Sequence, residues 1–218
     1  MRYLAALCFI LCAPPALAQD FDVTLAGKPL GLLSFEAKGQ RSTLRSTLNN
    51  TPLGVFNGTF VGVSKGSGRT ARFTGDSKSS RKQRRVMIDI TNGRATATNI
   101  TPASEQTDLS DINQVPAGVL DPVEVISRLI RAEGCPEQMR LYDGRRVVAL
   151  ATTGQNRQEG SLTCALSYKV IAGPGHLSPL RISQAKIQLR YVTTDNAQTL
   201  EQMKISSGIF SLSLDRRE

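Results

Sequence analysis

Hydrophobic and polar residues alternate along most of this chain, with the period of two that is typical of β-strands. In the run RVMIDIT, Val86, Ile88 and Ile90 share one face of the predicted strand. The dipeptide Asn92-Gly93 follows, and after it the alternating run RATATNI. Asn-Gly between two such runs predicts a β-hairpin, because a type I′ turn needs positive φ at both central residues.

Three later stretches, SLTCALSYKVI, AKIQLRYV and GIFSLSLD, show the same alternation. The inward positions predicted for them are Leu162, Cys164, Leu166, Tyr168 and Val170, then Ile187, Leu189 and Tyr191, and finally Phe210, Leu212 and Leu214. So many alternating strands predict an antiparallel sheet with one buried and one solvated face. The aperiodic stretches 66–83 and 101–116 are predicted to be exposed loops.

One segment, DPVEVISRLIRAEG, has a helical period. Asp121 is placed to cap the first free amides, Pro122 suits the first helical position, and Glu124 completes a capping arrangement. Gly134 is predicted to end the helix. The apolar stripe, which is expected to line the concavity of the sheet, consists of Val125, Ile126, Leu129 and Ile130.

The stretch YDGRR places Asp143-Gly144 between two further β-like runs, which predicts a second two-residue hairpin turn. Arg145 and Arg146 would then point to opposite faces of the following strand. Whichever arginine faces inward needs a buried carboxylate or a ligand headgroup as its partner. Both are therefore candidate contacts to a ligand headgroup.

The amino terminus has the features of a signal peptide: Arg2, an apolar stretch too short to span a bilayer, and Ala16-Leu17-Ala18 as a cleavage pattern. We expect residues 1–18 to be cleaved and residues 19–218 to form a single domain in the periplasm. No later stretch approaches eighteen consecutive apolar residues.

Cys8 and Cys12 fall within the predicted signal peptide, which leaves Cys135 and Cys164 as an even pair in an exported protein. This arrangement predicts one disulfide, joining the end of the helix to the inner face of a strand. Neither a redox Cys-x-x-Cys pair nor zinc-ligand spacing is present. We expect no metal and no cofactor.

Basic residues outnumber acidic ones by 27 to 18, which gives a formal charge of +9 and favours binding to anionic surfaces. The predicted anionic-surface patch consists of Arg81, Lys82, Arg84 and Arg85. The alternative is that these cations only keep an exposed loop soluble. Nucleic acid is not an expected partner, because no recognition helix or RNP-like aromatic motif occurs.

Catalytic motifs are sparse. The single histidine, His176, lies in the Gly/Pro-rich stretch AGPGHLSP and is expected to be exposed. No G-x-S-x-G elbow, H-E-x-x-H helix or P-loop is found. We therefore expect a protein that is not an enzyme, although folding could bring distant carboxylates together.

The order of these features resembles an exported bacterial family, domain of unknown function 3108. The resemblance rests on RRVMIDITNGRATAT, the helix start Leu120-Asp121-Pro122, the stretch YDGRR and the two cysteines around it, and it extends from about Phe21 to Leu214. It implies a fold similar to the lipoprotein carriers LolA and LolB: mainly β (α+β), a strongly curved, incompletely closed antiparallel β-barrel with one main helix packed on the concave face.

Three functions are compatible with these expectations. The first is a soluble periplasmic protein that binds a lipid or acylated envelope molecule in the concavity of the half-barrel. The second is an envelope assembly or interaction factor with a filled core, which acts on another envelope protein through its basic surface. The third is a hydrolase of an envelope polymer.

Overall fold

The computed structural model describes residues 17–51, 57–67, 69–80, 82–176, 182–194 and 197–218. Most of the predicted signal peptide, with Cys8 and Cys12, lies outside these ranges, and so does Arg81 of the predicted anionic-surface patch. No helix in the described part of the chain is long and apolar enough to cross a membrane.

The described residues form one continuous sheet around a single α-helix. The strands are β1 (Leu17–Leu25), β2 (Lys28–Lys38), β3 (Arg41–Leu48), β4 (Gly58–Ser67), β5 (Thr70–Ser79), β6 (Gln83–Thr91), β7 (Arg94–Thr101), β8 (Val119–Leu120), β9 (Met139–Tyr142), β10 (Val147–Gln158), β11 (Ser161–Ala172), β12 (Gln184–Thr194), β13 (Ala197–Ser207) and β14 (Phe210–Arg216), and the helix α1 is Pro122–Ile130.

The sheet runs in the order β7-β6-β5-β4-β3-β2-β1-β14-β13-β12-β11-β10-β9-β8. Neighbouring strands are antiparallel except for the short parallel pair β8 and β9. The sheet curls into a nearly closed barrel, with β7 and β8 as the two edges of an unsealed seam. The prediction of an incompletely closed, mainly antiparallel barrel with one helix is therefore confirmed.

The hairpin predicted at Asn92-Gly93 is confirmed. It joins β6 to β7, and both central residues have positive φ, 51° for Asn92 and 71° for Gly93. The predicted inward residues Val86, Ile88 and Ile90 are all buried. Local turn chemistry and period-two burial thus specify the same hairpin.

The inward positions predicted on β11 and β12 are buried in their central parts. Cys164, Leu189 and Tyr191 are fully buried, whereas Tyr168, nearer the end of β11, is only half-buried. Phe210 lies on β14 with Leu212 and Leu214, as predicted, and lines the barrel interior, but it is 40% exposed. It begins β14 at one end of the barrel, where there is less sheet to cover it.

The prediction of a loop over residues 66–83 is wrong, because most of this stretch forms β5 within a ladder between β4 and β6. Its inward positions include Phe73, which is buried, and Gly75, where a Cβ atom would lie only 2.7 Å from the Phe73 ring. Pairing on both sides supplies the stabilisation that the polar sequence does not indicate. The connector over 101–116 contains three short 3₁₀ turns and no strand after Thr101.

The predicted start of α1 is confirmed. Asp121 accepts hydrogen bonds from the backbone N–H groups of Val123 and Glu124 at 2.9 and 3.0 Å. The helix ends at Ile130, earlier than predicted from Gly134. Side chains from the sheet, instead of a glycine cap, satisfy its terminal carbonyls: Tyr191 Oη donates to Leu129 O and Gln198 Nε2 to Ala132 O.

Residues 102–118, which we call the seam segment, cover the gap between β7 and the β9–β10 connection. Tyr142 Oη donates to Leu109 O at 2.5 Å and lies 2.9 Å from Thr98 Oγ1 of β7. Thr107 Oγ1 and Ser110 Oγ donate to backbone oxygens of that connection. These side-chain contacts hold the seam where a strand ladder is missing, together with backbone hydrogen bonds from Gly118 and Val119 N–H to Gly93 O.

The predicted disulfide between Cys135 and Cys164 is confirmed, with the Cα atoms 5.5 Å apart. Cys164 is fully buried on the inner face of β11, and Cys135 follows the end of α1. The bond therefore fastens the helix to the wall of the barrel.

Candidate functional site

The apolar side of α1 fills one part of the barrel. Val125, Leu129 and Ile130 of the predicted stripe are buried, and Ile126 is half-buried against the core. Close approach is allowed by Gly62 on β4, because a Cβ atom there would lie 2.9 Å from a methyl carbon of Val123. The helix does not fill the whole barrel interior, and open space remains at one end.

This space, the apolar chamber, has a volume of about 420 Å³. It is lined mainly by aliphatic and aromatic side chains from β1, β2, β3, β12, β13 and β14. They are Leu25, Leu30, Leu48, Ile182, Ile187, Ile205, Phe210 and Leu212. The chamber reaches the surface at Phe210, and the adjacent turn residue Ile209 is 93% exposed.

Among the described residues, four polar side chains lie in the wall of the apolar chamber, Thr51, Tyr168, His176 and Ser207. Tyr168 Oη and His176 Nε2 form a hydrogen bond of 2.5 Å. Burial lowers the pKa of His176 to about 4, with a further contribution from the positive charge of Arg146. Burial raises the pKa of Tyr168 to about 12. Both groups are therefore uncharged near neutral pH.

The expectation that His176 is an exposed surface residue is wrong, because its ring is half-buried in the chamber wall. The backbone of His176 is paired with that of Ile182, and the ring contacts Tyr168. No pattern in the sequence indicates this placement, since it depends on contact with Tyr168 of β11.

A second chamber of about 250 Å³ adjoins the first, and Tyr168 and His176 line both. Its wall also contains Pro122 at the start of α1 and two charged residues, Arg84 and Asp143. The interior of the barrel thus changes from an apolar chamber at the surface to one with charged groups beside the helix.

The connection containing Asp143 is not the two-residue turn predicted. The β9–β10 pairing ends at Tyr142 and Val147, so four residues form the turn, and of these Gly144 has a positive φ of 90°. Asp143 Oδ1 accepts the backbone N–H groups of Arg145 and Arg146. This side-chain cap stabilises a four-residue turn, which is wider than the two-residue turn at Asn92-Gly93.

Because Arg145 and Arg146 lie in that turn and not on the strand, the prediction that they face opposite sides of a strand is wrong. Arg146 is 6% exposed, and its Nε lies 3.1 Å from Asp143 Oδ2, close enough for an ion pair but not aligned as a hydrogen bond. Among the residues that the structure describes, Nε and Nη1 of Arg146 find no hydrogen-bond partner, although both are buried.

Arg145 turns toward the seam segment, where its Nη1 lies 3.3 Å from Glu105. Lys82 and Arg84 contact the same carboxylate, at 2.9 and 3.2 Å. The hydrogen bond from Lys82 and the charges of all three cations lower the pKa of Glu105, despite its burial. Burial and the nearby charge of Arg84 lower the pKa of Arg145.

The predicted anionic-surface patch is therefore not a set of free cations. Of its described members, Lys82 and Arg84 pair with Glu105, and Arg85 pairs with Asp76 at 2.7 Å. Arg84 and Arg85 face opposite sides of β6, and Arg84 lies on the inner face with Val86. The period of two along β6 indicated that Arg84 shares a face with Val86, whereas the cluster of charges suggested that all of these cations lie on the surface.

A family model described as "Protein of unknown function (DUF3108)" matches residues 20–170. This chain belongs to the DUF3108 family. The matched region of this DUF3108 protein includes α1, the Asp143 turn and Tyr168, whereas His176 lies beyond it. Neither a curated protein nor a solved structure matches the chain significantly. The likeness to LolA and LolB stays a prediction.

The described residues of this DUF3108 protein offer no evident metal site. They contain no group of three or more His, Cys, Asp or Glu side chains placed to hold a metal ion. A cleft of about 400 Å³ at the opposite end of the barrel is lined by the polar side of α1. There the buried Asp121 accepts a 2.7 Å hydrogen bond from Ser64 Oγ, an arrangement that caps the helix.

Proposed function

We propose that this DUF3108 protein is an exported, non-catalytic binding protein for a lipid or acylated molecule of the cell envelope. The acyl chain would lie in the apolar chamber. The observation that supports this most directly is the chamber itself, which is open at Phe210 and lined largely by apolar side chains.

The size and lining of the chamber suit a hydrocarbon chain. Its volume of about 420 Å³ lies within the range of small-molecule binding sites, roughly 300–1,000 Å³. Transfer of a hydrocarbon chain from water to such a lining is favourable by about 0.8 kcal/mol for each buried methylene group. Tyr168 and His176 provide the convergent polar groups that orient a ligand in sites of this kind.

The alternative function, an interaction factor with a filled core and a basic docking surface, has less support. Helix α1 fills only part of the barrel, and each described cation of the predicted patch contacts a carboxylate. Paired surface cations offer less attraction to an anionic partner than free ones do.

Export to the periplasm belongs to the same proposal. The signal-like sequence at residues 1–18 supports it, and so does the disulfide between Cys135 and Cys164, because such bonds persist in oxidising compartments. Location in the cell envelope would also give the protein access to acylated molecules there.

Filling the apolar chamber tests the binding proposal. Ile205→Trp places an indole in the chamber and should weaken binding of dodecanol by about tenfold or more, because ring and chain compete for one space. Dodecanol binding would be measured by displacement of N-phenylnaphthylamine fluorescence. The matched control is Lys204→Trp, since Lys204 is the exposed neighbour on the same strand.

Both variants should keep the wild-type circular dichroism spectrum, which separates loss of binding from loss of fold. Equal binding by wild type and Ile205→Trp would contradict the proposed site. Mass spectrometry of lipids extracted from protein purified from the periplasm provides a second test. Acylated species should accompany the wild-type protein and be depleted from Ile205→Trp.

A further inference from the structure

The second chamber shares the lining residues Tyr168 and His176 with the apolar chamber, so the two spaces lie side by side. Arg84 lines the second chamber from β6, and Asp143 lines it from the β9–β10 turn. A chain held in the apolar chamber would therefore bring its polar end toward charged side chains.

Positive charge exceeds negative charge around the second chamber. Arg84 shares the Glu105 carboxylate with Lys82 and Arg145, and Arg146 pairs only with Asp143. Four cations thus contact two carboxylates, and of these six residues Arg84 and Asp143 line the chamber itself. Because Arg145 and Arg146 are largely buried, water screens this excess less than it screens surface charge.

Arg146 provides an independent observation: it is a buried cation whose hydrogen-bond donors are not all satisfied by the described residues. It is more than nine-tenths buried, and Nε and Nη1 have no hydrogen-bond partner. It lines neither chamber, but its Nε lies 3.1 Å from Asp143, which lines the second one, and its charge acts on both Tyr168 and His176. Asp143 supplies one counter-charge, but donors without hydrogen bonds leave part of the cost of burying this guanidinium uncompensated.

We infer that the second chamber holds an anionic headgroup, a carboxylate or a phosphate monoester, at the end of an acyl chain bound in the apolar chamber. Arg84 contacts the headgroup directly, and Tyr168 Oη lies at the junction where it can donate to a headgroup oxygen. Arg146 contributes its charge without lining the chamber. This inference rests on the proposed function and narrows its ligand to anionic amphiphiles.

Three ligands with the same chain test the inference: dodecanoate, dodecyl phosphate and dodecanol. The wild-type protein should bind at least one anionic ligand about tenfold or more tighter than dodecanol, because hydrogen bonds to charged groups are stronger than neutral ones. Displacement of N-phenylnaphthylamine gives all three affinities. The tighter of the two anions identifies the headgroup.

Arg84→Met removes the contacting charge and keeps an apolar stem of similar length. It should lower the affinity for the preferred anion to near that of dodecanol, while dodecanol binds as in the wild type. Arg85→Met is the matched control, because Arg85 is the next residue on β6 but lies on the outer face, paired with Asp76. It should leave the preference for anions intact.

The outcomes distinguish a failure of this inference from a failure of the proposed function. Equal wild-type affinities for anions and dodecanol would overturn the anionic headgroup and leave chain binding in place. The same follows if Arg84→Met and Arg85→Met reduce anion binding equally. If none of the three ligands binds, both proposals fail.

Discussion

At the scale of single residues, Asp121 shows how one side chain serves several elements. Its carboxylate caps α1 through two backbone N–H groups and accepts a third hydrogen bond from Ser64 on β4. Burial raises the pKa of Asp121, although these hydrogen bonds act in the opposite direction. The residue thus places the helix start against the sheet beside the second chamber.

Replacement of Asp121 should therefore show the importance of this cap. Asp121→Ala removes all three acceptor contacts and should reduce the free energy of unfolding by about 2 kcal/mol, measured by urea denaturation. Asp121→Asn is the control, since its amide oxygen can still cap the helix, and it should cost much less. Equal losses for the two variants would show that charge matters more than capping.

The raised pKa of Asp121 adds a pH dependence with a definite sign. The raised value favours folding below the unfolded pKa of about 3.8, and this advantage is lost as the pH rises through the folded pKa. Asp121→Asn lacks this titration. Its unfolding free energy should therefore improve relative to wild type as the pH rises across this window.

At the scale of elements, α1 is held in the barrel by contacts at both of its ends. Asp121 fixes the start, while Tyr191, Gln198 and the Cys135–Cys164 disulfide act at or beyond the end. The helix is short, and an isolated helix of this length would not be stable in water. Its position, and hence the space left for the apolar chamber, depends on these contacts.

The disulfide should make a large contribution to stability. The cysteines are 29 residues apart, and a closed loop of this size corresponds to roughly 3–4 kcal/mol in the chain-entropy treatment. The double variant Cys135→Ala/Cys164→Ala should lower the urea midpoint accordingly. Reductant should lower the wild-type midpoint and leave the variant unchanged. An unaltered midpoint in both experiments would show that the other helix contacts suffice.

At the scale of the whole molecule, the described strands are closed into a barrel by side chains and by two backbone hydrogen bonds to Gly93 O, and not by a fourteenth strand pairing. The described residues form no ladder between β7 and β8, and the seam segment crosses this gap. Tyr142 connects it to both sides of the seam, through Leu109 O and Thr98. The seam is therefore the part of the wall with the fewest backbone hydrogen bonds.

Loss of the Tyr142 hydroxyl should loosen the seam specifically. Tyr142→Phe should cost about 1–2 kcal/mol, because it leaves a buried acceptor without its donor, and it should speed amide hydrogen exchange in β7 and β8. Tyr191→Phe is the matched control: it loses a hydroxyl bonded to Leu129 O, away from the seam. Equal exchange of β7 in the two variants would refute a special role for Tyr142.

The sequence by itself determined those features of this protein that arise from neighbouring residues. Alternation indicated β6, β11 and β12 with their buried faces, Asn92-Gly93 indicated a type I′ hairpin, and Asp121-Pro122 indicated the helix start. Each depends on backbone preferences or hydrogen bonds within a few residues, so the local pattern was sufficient. The even cysteine pair indicated the disulfide for a similar reason, because only one pairing remained.

Tertiary structure alone decided the features on which function depends. The polar stretch after Gly66 forms β5 because it pairs with a strand on each side. Arg145 and Arg146 lie in a turn, and not on the predicted strand, because Asp143 caps a wider turn than the sequence indicated. The ring of His176 is half-buried because it forms a hydrogen bond with Tyr168, which lies on β11. These placements bring together residues far apart in the chain, and the free energy that fixes them comes from contacts that no local pattern records.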